Sequence, residues 1–173
     1  MTSVQACVLP PGSLLAKYEQ GPGYTDCYCS AVAGAVSQAE FVQAFYTTGL
    51  FKVERCILKW AAGRPSSDLD AQLLAAGKAA MFAAWRVEAR DDDQLLLADF
   101  SGRTRSWLMV ERSAAVTATA TTRLYFGSAV VPRAGGSRAR PRMDLVFHTL
   151  LGFHRLYSRL LLRAAASRLL RSR

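Results

Sequence analysis

The sequence predicts an α+β domain in which a curved antiparallel sheet wraps a long C-terminal helix. Three observations carry this expectation. One strand-like segment is followed by two or three short helical ones. The middle of the chain then changes to a period-two alternation broken by tight turns. The chain closes on one amphipathic stretch, "FHTLLGFHRLYSRLLLRAAASRLL" at 147–170. A sheet with one apolar face needs a cover, and a long helix with one apolar stripe can supply it.

Residues 1–23 contain "LPPGS" and "QGPGY", a Pro/Gly content that predicts an extended arm. Residues 24–32 suit a strand. Ser37, with Glu40 three residues on, forms a capping box for a first helix that stops near Gly49. "KVERCILKWAAG" predicts a second helix ending at Gly63, and "RPSSDLDAQLLAAG" a loop and a short third helix capped by Ser66 or Ser67. Four strands follow: "KAAMFAAWRVEARD", "QLLLADF", "TRSWLMVER" and a long "AAVTATATTRLYFGSAVV", in which Thr117, Thr119 and Thr121 alternate with alanines. The turns "DDDQ" and "SGR" join alternating runs, which points to an antiparallel meander. "PRAGGSRARPR" is a basic connection into the last helix. The expected domain spans 24–166, followed by a frayed or exposed basic tail at 167–173. This order is that of the helix-grip architecture of START-like and polyketide-cyclase-like domains, in which a strongly curved sheet leaves a cavity beneath the helix.

Placing the closing stretch on a wheel at about 100° per residue sorts it into two faces. Val146, Phe153, Tyr157, Leu160, Leu161 and Ala164 gather around Leu150, whereas Arg155, Arg159 and Arg163 form a stripe opposite. Arg168 falls back on the apolar side, so packing is expected to end near Ala166. His148 lies with the arginines. His154 looks towards the sheet, where an imidazole must find a partner in the core or a ligand.

The formal net charge is +9, and it is unevenly spread. Residues 1–131 hold 12 Lys+Arg and 12 Asp+Glu, while residues 132–173 hold 10 arginines against Asp144 alone. The arginine stripe reads first as a solvated helix face; an anionic lipid surface is a further reading, through Arg155, Arg159 and Arg163. Nucleic acid is less favoured, because no aromatic residues are interleaved with the arginines and no known motif is present. No run of about 18 uncharged apolar residues occurs, so a spanning helix is not expected. The N-terminus lacks a basic stretch followed by an apolar core, and a cytoplasmic protein is the expectation. Cys27 and Cys29, two apart in a strand, share a face; with Cys7 and Cys56 they lack the spacing of a zinc site and read as ordinary thiols. No metal and no cofactor is expected. A nucleophile elbow, a Walker loop, a zinc-protease helix and a Gly-rich dinucleotide fingerprint are all missing from the sequence.

Four stretches together, "YTDCYC", "LLLADFSGRTRSWLMVER", "TRLYFGSAVV" and "FHRLYSRLLLRAA", resemble a bacterial family of unknown function. Its members occur alone or as the C-terminal domain of NAD(P)-binding reductase-like proteins. The likeness covers roughly residues 24–166. The family's closing His-Arg pair and later arginines are matched by His154, Arg155, Arg159 and Arg163; of its acidic and histidine residues near the second strand turn, only Asp99 has a counterpart. The resemblance implies a START-like helix-grip (SRPBCC-type) domain and no established activity.

Candidate polar groups for a cavity are Asp99, Arg105 and Arg123 on the strands, with His154 and Tyr157 on the helix. If Trp85, Trp107 and Tyr125 face inward, the cavity has an aromatic wall and Arg105 or Arg123 could hold an acidic group. If they face outward, Leu108, Val110, Leu124 and Phe126 form a plain inner core. The aromatic lining is the preferred alternative. Asp26, alone in an apolar strand, reads as a structural partner of an arginine or a turn. Binding of a hydrophobic or aromatic small molecule is the first functional expectation. A cyclase, dehydratase or isomerase moving protons through His154 or Asp99 is the second, and attachment to an anionic membrane surface the third.

Overall fold

In the computed structural model, which describes residues 3–113, 120–131 and 141–172, the N-terminal arm carries a first short strand. It is β1 (Gln5–Ala6), followed by a 3₁₀ turn (Ala16–Tyr18) and β2 (Tyr24–Ala33). Three helices come next: α1 (Gln38–Tyr46), α2 (Gly49–Ala62) and α3 (Asp68–Ala75). Strands β3 (Met81–Phe82), β4 (Trp85–Arg90), β5 (Gln94–Asp99), β6 (Thr104–Arg112) and β7 (Thr121–Val130) then lead to α4 (Pro141–Arg171). They form one open seven-stranded antiparallel sheet in the order β1-β2-β7-β6-β5-β4-β3. The chain is α+β, as expected.

Local chemistry explains the helix starts. Ser37 accepts from the Glu40 N–H at 3.2 Å while the Glu40 carboxylate accepts from the Ser37 N–H at 2.7 Å. Ser67 and Asp70 repeat the device, which chooses between the two serines left open by the sequence. Gln38 donates to the Leu108 carbonyl at 3.0 Å and ties the start of α1 to the sheet.

The long strand expected over "KAAMFAAWRVEARD" is divided. Ala83 takes a positive φ of 50° and, with Ala84, turns the chain so that Phe82 pairs with Trp85. The proposed long fourth strand is described from Thr121 onward; Thr117 and Thr119 lie outside the described residues.

The sheet has two covered faces. On one, Tyr28, Val32, Leu95, Leu97, Leu108, Val110, Leu124 and Phe126 pack beneath α1, α3 and α4, with Phe41, Phe45, Tyr46, Leu161, Leu162, Ala165 and Leu169. On the other, Cys27, Cys29, Leu96, Trp107, Met109, Tyr125 and Ala129 pack beneath the N-terminal arm through Leu15, Leu14, Leu9 and Tyr18. The extended arm is therefore a second cover. Gln94 holds it by accepting from the Leu14 N–H at 2.9 Å and donating to the Gly12 carbonyl at 3.2 Å. Lys17 and Arg105 each meet Glu88 at 2.6 Å, and Tyr18 donates to the same carboxylate at 2.5 Å.

The C-terminal tail also departs from expectation. Helix α4 continues to Arg171, Leu169 is buried, and Arg168 reaches the Thr47 carbonyl at 3.4 Å. The arginine returns to the packed side, where its guanidinium meets that carbonyl, and the apolar stripe runs past it. Leu160, expected within that stripe, is 43 % exposed at its edge. No helix among the described residues is long and apolar enough to cross a membrane.

Candidate functional site

A cavity of about 290 Å³ lies between the helix-bearing face of the sheet and helices α1, α2 and α4. Its walls are mostly apolar: Phe45, Phe51, Ala84, Trp85, Phe126 and Leu161. Polar groups enter from several elements. Helix α2 supplies Glu54; α4 supplies His154, Tyr157 and Ser158; β6 and β7 supply Ser106 and Ser128. Phe100 and Thr104, at the turn between β5 and β6, complete one end.

Alternation and register create the polar row on the cavity floor. Asp26 stands directly opposite Ser128 in the β2–β7 pairing, and Ser128 stands opposite Ser106 in the β6–β7 pairing. All three take the inward parity. Ser128 donates to Asp26 Oδ1 at 2.5 Å, and its Oγ lies 2.6 Å from His154 Nε2. A hydroxyl has one proton. With that proton committed to the carboxylate, the imidazole must carry hydrogen on Nε2 and donate it to the serine. Asp26 also accepts from the Tyr24 hydroxyl at 3.2 Å, which in turn accepts from Arg155 Nε at 2.8 Å. The chain of bonds runs from the surface arginine to the imidazole in the cavity.

This arrangement differs from a serine nucleophile. Nucleophilic activation needs the serine proton on the imidazole and the carboxylate behind the other ring nitrogen. Here the carboxylate holds the serine proton, so Ser128 acts as a bridge.

On the opposite wall, Tyr157 donates its hydroxyl to Glu54. Burial pushes the Glu54 carboxyl above the usual carboxylate range, and the Tyr157 hydrogen bond only partly opposes it. Burial also raises the Tyr157 phenol. The Tyr46 hydroxyl pairs with Ser106 at 3.3 Å. Two buried polar atoms lining the cavity have no hydrogen-bond partner among the described residues: Ser158 Oγ and Trp85 Nε1. Ser158 is fully buried.

Of the expected site residues, Trp85, His154 and Tyr157 line this cavity. Asp99 does too, but its oxygens accept from Ser101 at 2.5 Å and from the Arg103 and Thr104 N–H groups at 2.8 and 3.0 Å. Burial raises Asp99, yet these donors outweigh it and hold it below the usual range. It fastens the β5–β6 turn. Trp107, Arg123 and Tyr125 stand on the arm side and do not reach the cavity, which corrects the preferred aromatic lining. Trp107 Nε1 donates to Gln94 at 2.9 Å, Tyr125 donates to Glu111 at 2.6 Å, and Arg123 lies 3.5 Å from the same carboxylate. Arg105 borders the cavity, but its guanidinium points to Glu88, Tyr18 and the Gly102 carbonyl on that same arm side. The inward sheet face is therefore the Leu108, Val110, Leu124 and Phe126 alternative, of which Phe126 lines the cavity, with Trp85 alone among the three aromatics on the cavity side.

Sequence reasoning missed Glu54, Ser106, Ser128 and Ser158. The two strand serines share the parity of Leu108 and Phe126, a signal that becomes readable only once the inward face is known. The arginine stripe is engaged in part: Arg155 stacks over Tyr24 at 5.4 Å and Arg159 over Tyr28 at 5.2 Å, while Arg163 is exposed. His148 lies outside the residues whose side chains are described. Cys7 and Cys27 sit 3.4 Å apart, sulfur to sulfur, on the arm side, and no group of three or more potential metal ligands occurs among the described residues. Comparison with known protein families, curated proteins and solved structures finds no match to this chain.

Proposed function

We propose that the chain is a helix-grip domain that binds a small, mainly apolar molecule between its sheet and its C-terminal helix. One observation carries the reading. The apolar cavity is lined by a buried hydroxyl and a buried indole N–H, Ser158 and Trp85, that have no partner among the described residues. Each such group costs about 1–3 kcal/mol when left unpaired, and a ligand bearing an acceptor offsets that cost. Ligand sites usually occupy about 300–1,000 Å³ and combine apolar walls with a few polar groups. A space of about 290 Å³ suits a small molecule. The element order and the START-like resemblance support the same reading.

The test is native mass spectrometry of the purified chain, with Ser158→Ala and Trp85→Phe in parallel. A retained small molecule, weakened or lost in both variants, is the expected result. No retained species, together with no binding of a small apolar probe by calorimetry, overturns the proposal.

A second reading, proton transfer in the cavity, is favoured by the Asp26–Ser128–His154 chain of bonds. In this reading the imidazole, held through Ser128 by the Asp26 carboxylate, exchanges a proton with the bound molecule through its other ring nitrogen. Its signature is a His154→Ala variant that retains the molecule without converting it.

A further inference from the structure

The charges around the cavity restrict what it can hold. This inference rests on the ligand-binding reading above. The described residues lining it contribute two carboxyls, Glu54 and Asp99, with Asp26 behind Ser128. On the cationic side stand His154 and Arg105, and the Arg105 guanidinium is turned to the arm side. Asp99 accepts from three donors in its turn, and Asp26 from Ser128 and Tyr24. Glu54 differs. It accepts the Tyr157 hydroxyl, and no ion pair joins it to a cation among the described residues. A carboxylate offers about four lone-pair sites, and with one donor from Tyr157 this cavity-lining carboxyl keeps accepting capacity for a ligand. Aromatic residues Phe45, Phe51, Trp85 and Phe126 share these walls, and aromatic faces attract cations.

We propose that this cavity selects a protonated amine on a compact apolar body, the ammonium seated on Glu54 and the body against the aromatic walls. An anionic ligand meets two carboxyls and no guanidinium. A neutral ligand leaves Glu54 without a counter-charge, so the amine gains what the others lack. Tyr157 from α4 donates to Glu54 and Tyr46 from α1 interacts with it electrostatically, while His154 from α4 and Asp99 from β5 share the cavity lining. On its own helix, Lys52 and Arg55 are paired with Asp68 at 2.6 Å each.

The experiment compares three probes with the same ring and similar chain length on the full chain: 2-phenylethylamine, 2-phenylethanol and 3-phenylpropionate. Isothermal titration calorimetry at neutral pH should rank them amine, alcohol, acid, with the amine about tenfold tighter than the alcohol. Glu54→Gln should bring the amine to the level of the alcohol and leave alcohol binding within about twofold, which also certifies its fold. In the unsubstituted chain the amine should weaken as pH falls and Glu54 takes up a proton; in Glu54→Gln that dependence should vanish. Tyr157→Phe removes one donor from Glu54 and should keep the amine preference. Equal binding of amine and alcohol, or preference for the acid, overturns the amine assignment while the cavity reading stands. Failure of all three probes to bind, together with no retained small molecule, overturns both.

Discussion

Ser158 and Ser128 are both buried hydroxyls facing the cavity, yet their situations predict opposite mutational outcomes. Ser158 has no partner among the described residues and sits inside a helix. Ser158→Ala removes an unpaired polar group and introduces a better helix former, so stability should rise by about 1 kcal/mol in urea titration. A loss instead would mean that the hydroxyl is paired. Ser128 joins Asp26 to His154. Ser128→Ala leaves a buried carboxylate with Tyr24 as its remaining donor and should cost about 1–3 kcal/mol in the same measurement. An unchanged midpoint would show that water replaces the bridge.

Among the elements, the β3–β4 hairpin and the N-terminal arm depend on single backbone positions. Ala83 holds a left-handed conformation that a side chain disfavours by about 1–2 kcal/mol. Ala83→Gly relieves that strain and should raise the thermal midpoint, and a lowered midpoint would argue against the turn. Gly127 stands opposite Trp107 on β6, and the arm presses against it. A Cβ there would lie 2.7 Å from Leu15 Cδ2, 3.0 Å from the Asp26 carbonyl and 3.0 Å from Trp107 Cε3. Gly127→Ala should cost about 1–3 kcal/mol and speed amide exchange through the Leu15–Tyr18 turn. Adding Leu15→Ala should restore only part of the loss, because the carbonyl contact remains.

For the whole molecule, stability against pH separates two kinds of carboxyl. For Glu88, burial raises the carboxyl, but Lys17, Tyr18 and Arg105 overcome it and hold it low; Asp99 is held low by its turn. Their contribution is complete above their ordinary values and is lost as pH falls through the depressed folded values. Glu54 has the opposite sign. Its folded value is raised, so its contribution is present below its ordinary value and lost as pH rises through the raised one. Glu54→Gln should therefore gain on the unsubstituted chain as pH rises from acid to neutral, measured by urea midpoints. A gap that stays constant across that range would place Glu54 in water.

The sequence by itself determined the α+β class, the coarse order of strand, short helices, antiparallel strands and closing helix, the capping box at Ser37, and the face of the last helix on which His154 and the arginines lie. These are local properties, because periodicity, caps and turns act within a few residues. The split at Ala83 was not legible, since alanine carries no turn signal. Nor was the cavity's composition, because alternation shows which strand residues stand together but not which side the helices cover. Only the tertiary structure decided that: the helices took the face of Ser128 and Phe126, and the arm took the face of Trp107 and Tyr125. The site followed from that choice, since Glu54 comes from α2 and His154 and Ser158 from α4, two helices that meet only when packed over one sheet face.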